Sequence, residues 1–510
     1  MFIQAGPASR EIKVCITYMI LRNLIKDRFA NSAFAKRVQM SFPRLFDFLS
    51  ALPQQVRLPL TFGIVAAAIG WFSFFGVVQD YLSGDPLVRA DLRVMYLVQS
   101  LRDPAYNSPM LFLTYLGNWQ VIVWGSVLFA YLMYISRQWW WLAAFAASIL
   151  GDQLLSQGLK LFFHRARPSI ENALLPAAGG SFPSGHALVA FAFYGFIACY
   201  AVANIRTWWL RIPLVIGVLL MIAGIGYSRI YLGVHWPSDV IASFGLGPAL
   251  VATVLTVFGF AWTRPTNVTA KPLPPWTIAA CLGVWAGTAF AVFLSHPLVP
   301  HIALLKQIVS LNEQDLDAQL FEHIPRFTED FAGGHTEPIN IILIASESDL
   351  QKAFTLANWK AADPVSIASE LKLVLAELHN SPDPSAPGLP VFLDGLPNDR
   401  TYEQSTGQDS VRERHHLHLW STNVTDDGVP VWVGTVHLDT SGKLYKSLTY
   451  HKIDADVDSA RTSLSNDLIQ SKCVSASYVV HVTDIKEGHN TFQNAFYTDG
   501  NAERFILKCN

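Results

Sequence analysis

The sequence predicts an all-α, multi-pass membrane helix bundle followed by a soluble α+β domain, on the strength of three observations. Apolar residues make up 51% of the 510-residue chain and charged residues only 15%, with a mean hydropathy of +0.29, whereas soluble domains average roughly 25% charged. The long uncharged runs fall almost entirely before residue 295. Beyond that point apolar runs shorten to strand length, so the chain is expected to divide between two solvents.

Residues 1–57 come first as a basic segment, with Arg10, Lys13, Arg22, Lys26, Arg28, Lys36, Arg37, Arg44 and Arg57 against Glu11, Asp27 and Asp47. Such a segment is expected in the cytoplasm. The apolar stretch from Val14 to Leu21 is too short to span a bilayer, and no small-residue cleavage site follows it, so no cleaved signal is expected. About seven runs then reach spanning length, near 58–79, 119–136, 139–162, 186–204, 209–227, 238–261 and 276–294. They define a membrane domain over 58–265 and an additional helix over 276–294. Within 80–118, Val94, Leu97, Val98 and Leu101 recur at helical spacing and predict a short amphipathic helix at the surface. Alternation from a cytoplasmic N-terminus puts Arg137, Arg206, Arg211, Arg264 and Lys271 inside a bacterial-type plasma membrane, as the positive-inside tendency expects. The same alternation leaves Lys160, Arg167 and Arg229 outside, an excess of cations that calls for a reason.

Residues 300–510 predict one extracytoplasmic mixed domain. Strands are expected at Ile339–Ala345, His415–Trp420, Val429–Leu438, Tyr478–Val482 and Phe505–Lys508, and helices at 347–358, 365–379 and 456–471, with His379–Pro397 as an internal loop. The five cysteines, Cys15, Cys199, Cys281, Cys473 and Cys509, lack metal-ligand spacing. In an oxidising compartment Cys473 and Cys509 either pair or remain buried thiols. The net charge of -2 and the absence of zinc-finger or basic-stripe spacing exclude nucleic acid as an expected partner.

Three polar clusters sit at expected outer ends of spans: Lys160 with Arg167-Pro168, then Pro183-Ser184-Gly185-His186, then Ser228-Arg229 with His235 and Asp239. Hydrolysis of a phosphate ester needs cations and N–H donors on its oxygens, an in-line nucleophile and an acid for the leaving group. Lys160, Arg167 and Arg229 supply the charge, the guanidinium groups as bidentate forks. Ser184 adds a hydroxyl, and Gly185 a backbone N–H that can approach closely at a helix start. His235 and Asp239, four apart, would share a face if the chain there is helical, so the carboxylate can orient the imidazole as nucleophile. His186, with no such neighbour in sequence, is the candidate proton donor. His164 and Arg165 read as solvated or interfacial residues. Gln153, Ser156, Gln157 and Lys160 form a polar stripe expected to face the bundle interior.

These three clusters resemble the signature of the type 2 phosphatidic acid phosphatase superfamily and match its positions over roughly residues 58 to 261. The resemblance implies a six-helix core, to which the seventh span is an addition, a phosphohistidine at His235, and turnover without metal or other cofactor. Lipid phosphates and polyprenyl diphosphates are the substrates it implies: undecaprenyl diphosphate, phosphatidylglycerol phosphate and phosphatidic acid all fit. The segment His415-His416-Leu417-His418-Leu419-Trp420, with Val431-Trp432-Val433-Gly434, resembles the LssY C-terminal domain, which brings no assigned activity and no known partner. On a strand, His416, His418 and Trp420 share a face, with His437 or His451 in reach. They read as solvated histidines, an aromatic surface, or a metal or anion site. Two rival functions stay open: a phosphotransferase using the same site, and a membrane-anchored binding or assembly protein acting through the C-terminal domain.

Overall fold

Backbone groups in hydrocarbon must find their hydrogen bonds within the segment, and the membrane half of this chain does so with helices. The structure, a computed structural model, describes residues 54–168, 173–205, 207–261, 271–295, 308–363, 390–406, 413–445, 448–489 and 495–509, with Ser369, Lys372, Leu375 and Ser385. Most of the basic segment, Arg206, Arg264 and most of the expected helix 365–379 lie outside the described residues.

The helices are α1 (Gln54–Ser83), α2 (Pro86–Arg89), α3 (Asp91–Ser100), α4 (Pro104–Leu116), α5 (Trp119–Ile135), α6 (Trp139–Phe163), α7 (Gly185–Asn204, with a π-helical turn at Phe191–Gly195), α8 (Trp208–Tyr231), α9 (Pro237–Ala261) and α10 (Pro275–Ser295). Among the described residues, α1, α7, α8, α9 and α10 are each long and apolar enough to cross a membrane, and α4 with α5 makes a bent pair at 47° that passes as a sixth. The expected span over 139–162 is a helix, α6, but it is not among the helices apolar enough to cross a membrane, because Asp152, Gln153, Gln157 and Lys160 dilute its apolarity. The stretch 80–118 holds more than one surface helix: α3 is the amphipathic element, while α4 is apolar and continues the bundle.

Large side chains such as Phe62, Phe72, Leu154, Phe162 and Leu220 are exposed on these helices, as a lipid-facing surface requires. Trp139, Trp208, Trp209 and Trp276 ring the end where α6, α8 and α10 begin, which suits a headgroup belt. Helices α1 and α9 approach closely because both carry glycine at the crossing: a Cβ on Gly70 would lie 2.7 Å from the Gly245 carbonyl oxygen.

The C-terminal half adds α11 (Glu313–His323), α12 (Glu347–Leu356) and α13 (Val457–Gln470), capped by Asn312, Ser346 and Asp456, whose side chains accept from backbone N–H groups of the first turn. A nine-stranded sheet runs β12 (Val474–His481), β15 (Asn501–Leu507), β4 (Ile341–Ile344), β10 (Val429–Tyr445), β9 (Arg414–Asp426), β8 (Arg400–Ser405), β5 (Lys360–Ala361), with β1 (Val309–Leu311) on β9 and β11 (Leu448–Ile453) on β10. Every strand expected from the sequence is in it. Phe354, Leu417, Leu464 and Phe505 form the core on one face, and Leu316, Val424, Val433 and Val480 the core on the other. Cys473 and Cys509 are bonded where β12 and β15 meet. A smaller sheet contains β2 (Phe327–Glu329), β3 (His335–Pro338), β6 (Phe392–Leu393) and β7 (Leu396–Pro397), and its loops rest on α3.

Candidate active site

The three clusters converge at one end of the bundle. Helix α6 ends at His164, which turns left-handed at φ 46° and is exposed as expected, so the chain leaves the helix and returns along the site. Lys160 lies in the last turn of α6, and a Cβ on Gly185 would come 3.1 Å from its Nζ and 3.3 Å from Ser156 Oγ. Any larger residue at position 185 would therefore press on Lys160 and Ser156. Ser184 starts α7 with its hydroxyl fully buried and without a hydrogen-bond partner among the described residues. His186 follows in the first turn of α7, facing Gly117, where a Cβ would press within 3.1 Å of the ring.

His235 sits in the short connection between α8 and α9, 1% exposed. Its Nδ1 lies 3.2 Å from Asp239 Oδ2, and its Nε2 lies 3.2 Å from Arg167 Nη1. Arginine only donates, so Nε2 carries the lone pair and the Nδ1–H donates to Asp239. Burial, reinforced by Arg229, Arg167 and Lys160, pushes the His235 pKa well below the usual histidine range and keeps the ring neutral. Arg167 also donates to the carbonyls of Val234, Gly179 and Ala178, and burial lowers its pKa against the opposing pull of Asp239. Arg229, in the last turn of α8, donates from Nη1 to Thr114 Oγ1 at 2.6 Å, while its buried Nε has no partner among the described residues. All three cations act electrostatically on both histidines.

Arg165 corrects the expectation of a solvated or interfacial residue. It is buried, with Nη1 on Asp239 Oδ1 at 2.7 Å and Nη2 on Asp91 Oδ2 at 2.5 Å. Asp91, the first residue of α3, also accepts from Ser238 N and Ser238 Oγ. Burial raises its pKa, and the bonds from Ser238 and Arg165 oppose that rise. Both oxygens of Asp239 are thus engaged, one by Arg165 and one by His235 and Trp236 N. No sequence spacing marks Asp91, which lies 74 residues before Arg165. The polar stripe on α6 is also rotated from expectation: Ser148, Asp152 and Ser156 are buried, whereas Gln153 and Gln157 are exposed.

In the C-terminal domain His416, His418, Trp420 and His437 do share a face, and strand pairing places His416 opposite both Glu403 and His437. The expectation of solvated histidines fails there, because all three are buried. His416 reaches Asp439 at 2.8 Å and Glu403 at 3.3 Å, and His437 reaches Glu337 at 2.9 Å. Among the described residues no group of three or more His, Cys, Asp or Glu could hold a metal ion. The backbone of His451 lies on β11 opposite Gly442.

Comparison with known proteins fits this division. Residues 141–264 match the PAP2 superfamily, and residues 321–502 match the LssY C-terminus. Over 182 residues the chain is 29% identical to phosphatidylglycerophosphatase B of Bacillus subtilis, a match covering 35% of this chain and 88% of that protein. It is 42% identical over 69 residues to an undecaprenyl-diphosphatase of Sulfolobus acidocaldarius, covering 13% of this chain and 28% of that one. Among solved structures, the PAP2-type phosphatidylglycerolphosphate phosphatase from Bacillus subtilis matches with a TM-score of 0.33 and 25% identity, covering 42% of this chain and 98% of that chain.

Proposed function

We propose, starting from a PAP2 superfamily domain whose polar groups converge on one histidine, that the chain is a membrane phosphatase. It hydrolyses a lipid phosphate or diphosphate through a phosphohistidine at His235, on the extracytoplasmic face. The observation that supports this most is the two-sided hold on His235, with Asp239 on Nδ1 and Arg167 beside Nε2. The nucleophilic lone pair is thereby aimed at the place where Lys160, Arg167 and Arg229 hold the phosphoryl oxygens, with the Ser184 hydroxyl and the Gly185 N–H as further donors.

In the first step the His235 Nε2 lone pair forms the N–P bond, the P–O bond to the leaving group breaks, and His186 gives its proton to that oxygen. As proton donor His186 must carry its proton when the ester is in place, and the negative charge of the ester favours that form. In the second step water attacks phosphorus, His186 takes the water proton, the N–P bond breaks, and phosphate leaves. Asp239 stabilises the imidazolium character that His235 gains on the way.

The outer-face assignment rests on charge: Arg137, Arg211 and Lys271 lie at the end opposite His235, the end that should face the cytoplasm. The lipid class rests on the position of the site at a helix-bundle end and on the names of the relatives. The test is phosphate release in detergent from phosphatidylglycerol phosphate, phosphatidic acid and undecaprenyl diphosphate, with chelator present, for wild type and His235→Ala. Release by wild type alone is expected. Equal release by both proteins would remove the mechanism, and loss of release with chelator would remove metal independence.

A further inference from the structure

Helix α3 is held between two partners that do not touch each other in sequence. Its first residue, Asp91, enters the active-site network, where it binds Arg165 and caps Ser238 at the start of α9. Two residues on, Arg93 points the other way and meets the C-terminal domain: its Nε and Nη2 reach Glu329 Oε2 at 3.1 and 2.8 Å. The same carboxylate oxygen accepts from Gly395 N at 3.0 Å, so it is fixed on its own side. Close fit accompanies the ion pair. A Cβ on Gly333 would fall 2.4 Å from Arg93 Nη2, and one on Gly395 would fall 3.0 Å from the side chain of Leu92. Both glycines have positive φ, so these two turns of the C-terminal domain are shaped to let α3 in. The ion pair is largely shielded, with side chains 12% and 16% exposed.

Resting on the phosphatase reading above, we propose that the C-terminal domain is a positive regulator of the membrane site in the same chain, and that the Arg93–Glu329 latch acts by holding α3 so that Asp91 keeps Arg165 on Asp239. Asp91 and Arg165 are positioning residues here. One guanidinium bridges two carboxylates, and the second carboxylate orients the nucleophile. When α3 loosens, Arg165 loses one of its two carboxylate anchors and Asp239 gains freedom to turn from His235. The rate constant of the chemical step then falls, while the cations that bind the phosphate are untouched.

Full-length Arg93→Ala, Glu329→Ala, Asp91→Asn and the combinations Arg93→Ala/Asp91→Asn and Glu329→Ala/Asp91→Asn are assayed for phosphate release from phosphatidic acid in detergent. Each is checked for a single monodisperse peak. Either latch variant is expected to lower kcat by about fivefold or more with KM within about twofold. Arg93→Lys, which keeps a cation toward Glu329, is expected to recover part of the rate. In the Asp91→Asn background the latch variants are expected to add little, because both act through one carboxylate. Wild-type kcat in both latch variants, or their full loss added on top of Asp91→Asn, would overturn the proposal. Equal release by wild type and His235→Ala sinks the phosphatase reading instead, and that control is read separately.

Discussion

The two halves of the molecule each bury a cluster of histidines and charged groups, and the clusters differ in the sign of their excess charge. At the membrane site Lys160, Arg167 and Arg229 surround His186 and His235 with Asp239 as the near carboxylate, because the Asp91 charge is spent on Arg165. In the C-terminal domain Glu337, Glu403 and Asp439 surround His416, His418 and His437 with Arg414 as the near cation. An anionic ester is attracted to the first and repelled by the second. The partners differ in kind as well. Among the described residues both clusters keep buried polar atoms without partners, Ser184 Oγ and Arg229 Nε in the first and His418 Nδ1 in the second, but only in the second is a histidine, His416, spanned by two carboxylates across neighbouring strands. Similar residue types thus make a cation-rich cluster in one half, the proposed anion site, and a carboxylate-rich cluster across neighbouring strands in the other.

The largest expected effect separates the halves outright. His235→Ala should lower phosphate release by at least about a thousandfold, while His416→Ala leaves kcat within about twofold and lowers the melting temperature of the C-terminal domain. A reversed pattern in that pair of assays would exchange the roles assigned to the clusters. Next in size, Arg167→Ala or Arg229→Ala should lower kcat/KM by about a hundredfold, since each removes a charged donor from the transferring phosphoryl group. An unchanged kcat/KM in both would deny the first cluster its anion.

Acid should act on the second cluster in a stated direction. An ordinary histidine titrates near 6.5, and burial pushes His416 down to about 3, with Asp439 pulling the other way. The unfolded chain therefore takes up a proton below pH 6.5 that the folded domain refuses until about pH 3. The stabilisation is full above pH 6.5 and is lost as pH falls toward 3, by up to about 1.4 kcal/mol per pH unit for this group. Tryptophan-fluorescence melts of wild type and His416→Gln should diverge less as the pH is lowered from 7 to 5. A constant gap between them would show that His416 does not carry the effect.

The smallest expected effect on activity belongs to the Cys473–Cys509 bond. Closing a sequence separation of 36 residues contributes about 4 kcal/mol to the C-terminal domain in the chain-entropy picture. Cys473→Ser/Cys509→Ser should cost much of that in a denaturant melt but change kcat by less than about twofold, as long as the domain remains folded on α3. A large loss of activity without unfolding would place the bond in the catalytic half of the comparison.

The site was legible where its parts are short-range. Lys160 and Arg167 lie seven apart, His235 and Asp239 lie four apart, and Ser184-Gly185-His186 are contiguous, so each cluster is confined to one short stretch of chain at a helix end, although Arg167 and His235 stand just outside α6 and α9 and not on a shared helical face. Arg165 was not legible, because its meaning depends on Asp91, which arrives from a different helix; alone it reads as one more cation near a helix end. Strand alternation placed His416, His418 and Trp420 on one face, yet alternation says nothing about what covers a face, and the carboxylates that bury it come from β3, β8 and β10. On α6 the candidate stripe followed the glutamines, whereas the buried line follows the four-residue spacing of Ser148, Asp152 and Ser156. The short strands β2, β3, β5, β6 and β7, of two to four residues each, carry too few alternations to signal themselves.

The guanidinium of Arg165, shared by two acids, also restricts the order in which this site can drift over generations. A lineage that first replaces the arginine leaves two buried acids without the cation they share, Asp91 keeping its bonds from Ser238, and the other acid orients His235. A lineage that first replaces Asp91 with a neutral residue leaves the arginine its other anchor, Asp239. Loss of the acid on α3 is therefore the less costly first step, and loss of the arginine the more costly one.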